Sequence, residues 1–569
     1  MKTTYATLAL LFALALSPTH AQTKSSLLWA TYFGGDSSTS GSSIAIDDSG
    51  NVYIIGWTYS DSMIATAGTY QTSNAGEQNV FLAKFSPSGI LIWATYYGGE
   101  GVDYGYDIAI NKYGGVYVTG STNSKTGIAT SGAYQTAYSG AFLAKFNTSG
   151  NLLWATYYGG TFYDEGNAVI TDNSGNVYLT GATNSHSDVA TSGGYQTLYG
   201  GSGDAFLAKF DSSGLLLWGT YFGGKGNDVG YGLAIDTSKN IYLTGITNSD
   251  SGIATSGAYQ TSNGGGYDAF LAKFTSSGNL KWTTYYGGSN ADEADGVITD
   301  KSGNVYIGGA TYSTIGIATS GAYQTSGDAV NGTSFLAKFT SSDSLLWATY
   351  YDKNNQGSPD IIDSSGNVYL AGYTRSTSFI TTSGAYQSFN AGGYDIFMAE
   401  FNPLGNLLWA TYYGGYYDDI GGIAAIDKSG NIYIGGSTQS PSGIATSGAY
   451  QTSFTGSDFN DNYNAFLAKF SLSVLTGINT IETSNANIQA YPNPFSDIIN
   501  INYILPNASH AQISIIDING QQINTPVDEN LEAGTYNLRF DAGAYNSGIY
   551  IIKLITNDNI ITSKIIKLN

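Results

Sequence analysis

An all-β fold of seven repeats, each with four strands, is predicted by three features of this 569-residue sequence. First, a segment close to LLWATYYGG recurs, and its tryptophans are spaced 61 to 65 residues apart. Second, each repeat holds four segments of strand length separated by turn residues. Third, one such segment opens the array and none closes it. The tryptophans are Trp29, Trp93, Trp154, Trp218, Trp282, Trp347 and Trp409.

The second repeat illustrates the predicted strands, which cover residues 106–110, 115–119, 142–146 and 152–158. Their apolar runs are nearly continuous, as expected when both faces of a sheet are covered. A D-x-S-G-N turn joins the first two strands in five copies, for example at residues 172–176. Because Asp and Asn bond to nearby backbone and Gly accepts positive φ, this pattern favours a hairpin turn over a row of catalytic aspartates.

The opening segment, residues 27–33, is predicted to complete the last repeat, whose third strand at residues 466–470 has no LLW partner after it. Pairing of the two removes the sheet edges that an open array would expose. The predicted architecture over residues 22–470 is therefore a seven-bladed β-propeller with four-stranded blades, closed by its N-terminal strand.

A second domain is predicted after the repeats. Residues 471–488, rich in Ser, Thr and Asn, are typical of a linker. Alternating segments at 497–503, 512–517, 534–540 and 548–554 then predict a small Ig-like β-sandwich over residues 489–569.

Composition excludes several function classes. The chain has no cysteine, so disulfides and thiolate chemistry are absent. Its 42 acidic and 21 basic residues give a net charge of −21, which opposes binding to nucleic acid or anionic membrane surfaces.

The first 21 residues predict a secretory signal peptide, cut before Gln22. They contain one lysine, an apolar run over residues 6–16 and small residues at 19 and 21. No later stretch holds the roughly 18 unbroken apolar residues of a membrane-spanning helix, so no transmembrane segment is expected.

The recurring words IAID-x-SGN-VY-x-TG, SGAYQT, DAFLAKF and LLWATYYGG resemble the seven-bladed β-propeller repeat family of secreted bacterial proteins. The resemblance covers about residues 27–470. It implies the propeller and assigns no reaction.

The tail resembles the type A C-terminal sorting domain of type IX secretion, found in the Bacteroidota. The matching residues are Pro492, Asn493, Pro494, Gly520, Gly548, Tyr550, Lys564 and Lys567. The resemblance implies that the type IX secretion machinery is a partner. It also implies that the tail is removed as the cargo is released or attached to surface lipopolysaccharide.

Repeated tyrosines are the first candidate ligand-binding residues. The connection between the second and third strands repeats IATSGAYQT and is expected on the face opposite the tight turns. Its Tyr134, Tyr259 and Tyr323 can stack on sugar faces, which predicts glycan or peptide binding. The alternative is that these tyrosines fix the loop, since a residue present in every copy need not contact one asymmetric ligand.

Departures from the repeat are a second set of candidates. Trp57 and Tyr373 replace small residues near the end of the second strand, and Arg375 is the only arginine of the propeller. An aromatic pocket with an arginine predicts an anionic or sugar ligand. Filling of a gap in the blade is the alternative.

Repeated aspartates suggest Ca²⁺ as a ligand, because this ion prefers several oxygen donors. The aspartates lie four residues after the second glycine of YYGG and are expected at the mouth of the central channel. They are Asp103, Asp164, Asp228, Asp292 and Asp419. Capping of turns is the alternative. The acidic loop 458–464 also alternates oxygen donors but lacks the glycine and glutamate of a calcium loop, which favours solvation.

Few side chains suit catalysis. His186 is the only histidine of the mature propeller, so a Ser-His-Asp triad or a multi-histidine zinc site is excluded, and no residue is assigned as catalytic. A carboxylate-only glycosidase stays open, since two acids suffice for glycoside cleavage. Its candidates are Asp164, Glu165, Asp292, Glu293 and Asp295.

The leading prediction is a non-catalytic binding and display propeller, secreted or held at the outer-membrane cell surface. It is expected to act as a monomer on a glycan or protein ligand, without a cofactor unless Ca²⁺ binds. The alternatives are a carboxylate-based polysaccharide-cleaving enzyme and a calcium-stabilised structural scaffold.

Overall fold

A computed structural model of the chain describes residues 22–353, 355–377, 380–456, 462–475, 487–505, 507–517, 521–556 and 560–568. The expected signal peptide, residues 1–21, lies outside the described residues, as do Gly520 and residues 457–461 of the acidic loop. The chain divides into two compact units, with the division after Leu475.

Seven four-stranded antiparallel sheets, here called blades 1 to 7, form the first unit. In blades 1 to 6 the spatial order of the strands equals their order in the chain. Blades 1 to 3 contain β2 (Thr39–Ile46), β3 (Val52–Thr58), β4 (Asn79–Phe85), β5 (Leu91–Tyr97), β6 (Asp103–Ile110), β7 (Val116–Thr122), β8 (Ala141–Phe146), β9 (Leu152–Tyr158), β10 (Asp164–Thr171), β11 (Val177–Thr183), β12 (Asp204–Phe210) and β13 (Leu216–Phe222). Blades 4 to 6 contain β14 (Asp228–Ile235), β15 (Ile241–Thr247), β16 (Asp268–Phe274), β17 (Leu280–Tyr286), β18 (Asp292–Thr299), β19 (Val305–Thr311), β20 (Thr333–Phe339), β21 (Leu345–Tyr351), β22 (Asn355–Ile362), β23 (Val368–Thr374), β24 (Asp395–Phe401) and β25 (Leu407–Tyr413).

Blade 7 combines the two ends of the propeller and confirms the predicted closure. It contains β26 (Asp419–Ile426), β27 (Ile432–Thr438), β28 (Asn464–Leu475) and, as its outermost strand, β1 (Gln22–Phe33). β1 and β28 pair from Phe33 opposite Ala465 to Gln22 opposite Leu475. Because this ladder continues past Phe470, residues 471–475 are strand and not the start of the linker that the sequence predicted.

The first strand of each blade contacts the first strand of the next around the whole ring, including β26 with β2. The first strands are therefore innermost and the fourth strands outermost. The core lies between neighbouring blades, as where Tyr53 and Val80 of blade 1 pack with Val118 and Phe142 of blade 2. Both faces of each sheet are covered in this way, as the continuous apolar runs predicted.

The D-x-S-G-N segments form the predicted hairpin turns. Oδ1 of Asp47 accepts hydrogen bonds from the backbone N–H groups of Ser49 and Asn51 at 3.0 and 2.9 Å. Gly50 has a φ of 80°, which glycine adopts without steric cost. The aspartate thus holds the turn, as the sequence indicated.

Six of the seven repeated tryptophans join neighbouring blades at their outer strands. In six blades the indole N–H donates to a backbone carbonyl in the turn between the third and fourth strands of the next blade. The acceptors, in order from Trp29 to Trp347, belong to Pro87, Thr148, Ser212, Ser276, Ser341 and Pro403. Trp409 instead donates to Gly384 in its own blade at 3.4 Å, because blade 7 takes its fourth strand from the chain start and has no such turn.

The second unit is a sandwich of two sheets. One contains β29 (Asn487–Tyr491), β30 (Ile498–Leu505) and β33 (Gly534–Asp541), and the other contains β31 (Ser509–Asp517), β32 (Gln522–Leu531), β34 (Gly548–Ile555) and β35 (Ile560–Lys567). Ile501, Ile513 and Ile552 are fully buried in its core. Nowhere in the described part of the chain is there a helix with the length and apolar character to cross a membrane.

Candidate ligand site at the central channel

A β-bulge interrupts the innermost strand of every blade. Each bulge leaves one residue out of the ladder between the first and second strands, and a bulge re-aims the side chain that it carries. The bulged residues are Ser42, Tyr106, Asn167, Tyr231, Asp295, Asp360 and Gly422. Five residue types occur at these seven bulges, although the neighbouring residues of the repeat are similar.

The bulged residues meet in a cavity at the centre of the ring. The cavity has a volume of about 310 Å³ and is lined by all of them except Gly422, with Asp107 and Pro359 among its other walls. Seven similar blades thus enclose an asymmetric cavity. Two tyrosines, one amide and three carboxyl groups give it both ring faces and hydrogen-bonding groups.

Asp295, which lines this cavity, forms a carboxyl pair with Glu293. Its carboxyl group shares a hydrogen bond with that of Glu293, and Oδ2 also accepts from Nε2 of Gln356 at 3.0 Å. Burial, and then the charge of Glu293, raise the pKa of Asp295 well above its ordinary value. Burial also raises the pKa of Glu293. Perturbed carboxyl groups of this kind in a cavity are typical of functional sites.

Two further aspartates connect the walls of the cavity. Oδ1 of Asp107 accepts from the hydroxyl of Ser43 in blade 1, and Oδ2 accepts from the backbone N–H of Val169 in blade 3, both at 2.8 Å. Oδ2 of Asp360 accepts from the backbone N–H of Ala424 in blade 7 at 2.9 Å. Burial raises the pKa of Asp360 to about 7, and the charge of Asp107 acts in the same direction.

Tyr373 adjoins this acidic group. Its hydroxyl donates to Oε1 of Gln356 at 2.7 Å, and Gln356 in turn contacts Asp295. Tyr373 also lines a smaller cavity of about 120 Å³ together with Tyr312 and Tyr394.

Arg375 lies beside the same aromatic group but is already engaged. Its guanidinium is 4.0 Å from the ring centre of Tyr394, and Nη2 is 3.7 Å from Oδ2 of Asp418 in the loop that leads into blade 7. The side chain is half exposed. An anionic ligand at Arg375 would therefore compete with Asp418.

Trp57 belongs to a different aromatic group. Its ring makes edge contacts with Tyr59 and Tyr104, at centroid distances of 5.7 and 5.8 Å, and Tyr104 stacks on Tyr106 at 5.9 Å. Within the described ranges, no ring contact, hydrogen bond or ion pair joins Trp57 to Tyr373 or Arg375. Trp57 is linked to the central cavity by its contact with Tyr104, which stacks on Tyr106. Tyr373 is linked to it by the hydrogen bond with Gln356, which contacts Asp295.

The repeated loop tyrosines lie along the outer edges of the blades. The connection that carries them runs beside the outermost strand, where the backbone N–H of Thr66 donates to the carbonyl of Ala94 at 2.8 Å. Tyr134 then makes an edge contact with Phe210 of the next blade at 6.0 Å, and the other blades repeat this contact. The equivalent pairs are Tyr70–Phe146, Tyr195–Phe274, Tyr259–Phe339, Tyr323–Phe401, Tyr386–Phe470 and Tyr450–Phe85. The tyrosines are 42–47% exposed, so a ligand role for them stays a prediction.

The five repeated aspartates are buried at the boundaries between blades rather than at the channel mouth. Asp103 is fully buried. Its carboxylate accepts hydrogen bonds from the hydroxyl of Thr122, from the hydroxyl of Ser124 at 3.0 Å and from the backbone N–H of Gly99 at 2.8 Å. Nδ2 of Asn79 in blade 1 adds a fourth hydrogen bond at 3.0 Å. The hydroxyl and amide donors keep each carboxylate within the boundary.

At three boundaries a second aspartate faces the repeated one. Both carboxyl groups lie over Gly287. A Cβ atom at this glycine would be 2.6 Å from Oδ1 of Asp268 and 2.7 Å from Oδ2 of Asp292. The other pairs are Asp204 with Asp228 and Asp395 with Asp419. Burial, with the charge of the facing aspartate, raises the pKa of Asp204, Asp268 and Asp395 to about 7.

Among the residues that the structure describes, no group of three or more histidine, aspartate or glutamate side chains is placed to hold a metal ion. The calcium site at the repeated aspartates stays a prediction.

The matched residues of the tail hold its first segment against its last strand. Nδ2 of Asn493 donates to the carbonyl of Lys564, and Oδ1 accepts from the backbone N–H of Ile566, both at 2.8 Å. Pro492 and Pro494 on either side follow cis peptide bonds. Lys567 is buried and its Nζ donates to the carbonyl of Ser496 at 2.6 Å, whereas Lys564 is exposed.

Tyr550 and Gly548 open the neighbouring strand β34. The Tyr550 hydroxyl donates to the carbonyl of Asn546 at 2.7 Å, and its ring packs 5.8 Å from that of Tyr545. The residues expected from the sorting-domain resemblance thus include both buried structural positions and exposed ones.

Sequence reasoning named Glu165, Glu293 and Asp295 but missed Tyr106, Asn167, Tyr231, Asp107 and Asp360. The signal that could have found most of them is the run that opens each innermost strand, where an aspartate and a glycine alternate with residues that vary between copies, as in D-Y-G-Y at 103–106 and D-V-G-Y at 228–231.

The closed ring of blades, with its variable central cavity, defines a seven-bladed β-propeller protein. Two family models match the chain: "Beta-propeller repeat" at residues 28–62, 92–127, 153–186, 217–252 and 281–316, and "Secretion system C-terminal sorting domain" at residues 489–568. The chain is a β-propeller repeat protein with a type IX secretion sorting domain after the propeller. That domain implies interaction with the type IX machinery and delivery to the cell surface or the outside.

Curated relatives are distant. The chain is 23% identical over 561 residues to the uncharacterized WD repeat-containing protein L264 of Acanthamoeba polyphaga mimivirus, covering 80% of this chain and 39% of the relative. It is 25% identical over 308 residues to the regulatory protein FlaEY of Caulobacter vibrioides, covering 47% and 29%. The chain therefore spans less than half the length of either relative. Among solved structures, the endosialidase of phage phi92 is similar with a TM-score of 0.35 and 11% identity, over 94% of this chain and 87% of that one.

Proposed function

We propose that this protein is a binding and display propeller without catalysis, and that its ligand is a neutral glycan that enters the central cavity. The observation that supports this most is the set of bulged residues. They vary between blades, and six of the seven line one cavity, among them Tyr106, Tyr231, Asn167 and Asp295. Function in a repeat array resides where the copies differ, because identical positions serve the shared fold.

The chemistry of the cavity suits a neutral sugar. Tyrosine presents an apolar ring face together with a hydroxyl, and carboxylate and amide groups hydrogen-bond to hydroxyls. Of the described residues that line the cavity, none is lysine or arginine. The lining thus offers an anionic glycan no partner of opposite charge, and each ionised carboxylate among Asp107, Asp295 and Asp360 would repel it.

A carboxylate-based glycosidase is the second candidate, and the raised pKa values of Glu293 and Asp295 favour it. Glycosidases place their two carboxyl groups about 5–9.5 Å apart, with the sugar between them. Glu293 and Asp295 instead share a hydrogen bond, so they suit ligand binding better than cleavage.

A glycan array probed with the purified mature protein tests the proposal. Neutral glycans are expected to bind and sialylated or uronate-containing glycans are not. Tyr231→Ala and Asp295→Asn are expected to lose the signal, while Tyr113→Ala is the control because Tyr113 is 67% exposed on a tight turn. Turnover of a polysaccharide that Glu293→Gln abolishes would support the enzyme, and failure of every neutral glycan to bind would overturn the proposal.

A further inference from the structure

Six of the seven blades carry a lysine at the same position of the third strand, and all six ammonium groups share two kinds of partner. Each lies 4.8–5.2 Å from the ring centre of a tyrosine on the second strand. Each also donates to a carbonyl in the turn between the third and fourth strands of the next blade. In four blades an aspartate of the D-x-S-G-N type turn lies 3.3–3.6 Å away. The lysines are Lys84, Lys145, Lys209, Lys273, Lys338 and Lys469.

Blade 6 has Glu400 at this position but keeps the other parts of the site. Tyr369 occupies the place of the ring, and Asp363 occupies the place of the turn aspartate. The carbonyl acceptor has no equivalent, because blade 7 takes its outermost strand from the chain start and so lacks the turn that would supply it. The closure of the propeller thus removes one partner of the ammonium at this single boundary.

A cavity of about 330 Å³ lies where the ammonium and the turn would be. Asp363, Asn367, Tyr369, Glu400 and Leu472 are among its walls. It opens among the tight turns, on the opposite side of the blades from the loops that lead into the innermost strands.

Glu400 is buried in this cavity and is only partly satisfied. The residue is 5% exposed, and its Oε1 accepts from Nδ2 of Asn367 at 2.8 Å. Its Oε2 is buried and accepts no hydrogen bond of standard geometry among the described residues. Burial raises the pKa of Glu400 to about 6, although the nearby Tyr369 hydroxyl lowers it, so the group is ionised at neutral pH. A buried carboxylate with so few donors and no cation beside it favours the arrival of one.

The other charged groups around the cavity do not supply that cation. Lys469 pairs with Asp427 at 3.3 Å, and Lys428 pairs with Asp48 at 2.8 Å. In the part of the chain that the structure describes, Glu400 and Asp363 take part in no ion pair. The cavity therefore carries two uncompensated carboxylates beside a tyrosine ring.

We propose that the cavity at blade 6 binds a primary alkylammonium group supplied by another molecule, in the place that a lysine of the chain fills in the six other blades. A lysine side chain and a free diamine share this chemistry. The site is separate from the central cavity, and the inference does not depend on the proposed glycan ligand.

Isothermal titration of the full mature protein tests this inference. The probes are 1,5-diaminopentane and Nα-acetyl-lysine methylamide, with the Nε-acetylated form of the latter as an uncharged control. Both amines are expected to bind and the acetylated form is not. Tighter binding of the lysine derivative would assign the site to a protein lysine, and tighter binding of the diamine would assign it to a free amine.

Two variants at Glu400 make the test specific. Glu400→Gln keeps the shape and is expected to weaken binding at least tenfold. Glu400→Lys restores the residue of the other blades and is expected to abolish binding while leaving the melting temperature equal or higher. Asp300→Asn in blade 5 is the control, because Lys338 occupies that site, and it is expected to leave binding unchanged.

The pH dependence gives an independent readout. Between pH 5 and 8 the probe stays protonated and Glu400 ionises, because the pKa of Glu400 is about 6. Burial raises the pKa of Tyr369 far above this interval, and hydrogen bonds from Asn431 lower the pKa of Asp427 below its ordinary value. The other charged groups at the cavity are Asp363, Lys428 and Lys469. Affinity is therefore expected to rise over this interval in the wild type and to stay flat in Glu400→Gln. Binding of neither amine, or undiminished binding by Glu400→Lys, would overturn the inference.

Discussion

Trp29 donates its indole N–H to the carbonyl oxygen of Pro87 at 3.0 Å. The first strand of the chain is thus paired with blade 7 and also bonded to blade 1. It is held by its ladder within blade 7 and by this bond across the boundary to blade 1, although no covalent turn joins it to its own blade. Five of the other repeated tryptophans make the same bond from strands that a tight turn already holds in place, whereas Trp409 bonds within its own blade.

Because of this difference, alanine substitution is expected to lower the free energy of unfolding more at Trp29 than at Trp154. Trp29→Ala is expected to lower the free energy of unfolding by about 3 kcal/mol, because it removes ring packing and a hydrogen bond. It is expected to cost more than Trp154→Ala, since loss of Trp29 also loosens a strand that only pairing retains. Urea denaturation of both variants measures this. Equal losses would contradict a special role for the closing strand.

The facing aspartates predict that stability falls as pH rises. Asp268 keeps its proton in the fold up to a pKa of about 7, whereas in the unfolded chain it ionises near its ordinary value of 3.8. Between these two values the folded state binds more protons, so the free energy of unfolding decreases with increasing pH. Asp268→Asn is expected to flatten this slope and to stabilise the protein at pH 8 by about 2 kcal/mol.

The boundary between blades 1 and 2 offers the reciprocal control, because Asn79 already faces Asp103 there. Asn79→Asp is expected to steepen the decrease in melting temperature between pH 5 and 8. If Ca²⁺ raised the wild-type melting temperature and Asp268→Asn removed that effect, a cation and not a shared proton would occupy the aspartate pair.

The loop tyrosines allow a test that separates packing from recognition. Tyr134→Ala is expected to cost about 1–2 kcal/mol of stability through lost contact with Phe210. It is expected to leave glycan affinity unchanged, because Tyr134 lies on the outer edge of its blade. Thermal unfolding and titration of the same sample give both values. A tenfold loss of affinity without loss of stability would instead support the ligand role predicted for this tyrosine.

The two lysines of the tail are expected to respond differently. Lys567→Ala should destabilise the sandwich by about 2 kcal/mol and reduce export, because it removes a buried side chain together with its hydrogen bond to the carbonyl of Ser496 and its ion pair with Asp497 at 3.7 Å. Lys564→Ala should leave stability unchanged, since Lys564 is exposed. Protease resistance of the sandwich and the exported fraction of the protein test both. Lost export by a stable Lys564→Ala variant would show that Lys564 contacts the secretion machinery.

The blades, their hairpin turns and the closure were predictable because each rests on a repeated local pattern. The path of the IATSGAYQT connection was not predictable from the sequence. It depends on how the loop returns along the outer strand, where the backbone N–H of Thr66 donates to the carbonyl of Ala94. The bulges were missed for a similar reason: periodicity does not reveal which residue leaves the ladder, so Tyr231 and Asp360 went unnoticed. The strand at residues 471–475 was read as linker because its partner, Gln22–Ser26, is about 450 residues away in the chain.

A crystal structure of the mature protein with a bound neutral glycan would locate the ligand directly. We expect a sugar ring in the central cavity, stacked on Tyr106 or Tyr231 and hydrogen-bonded to Asp295 or Asn167. A glycan bound instead to the loop tyrosines on the outer edge, or at the Tyr394–Arg375 pair, would contradict it.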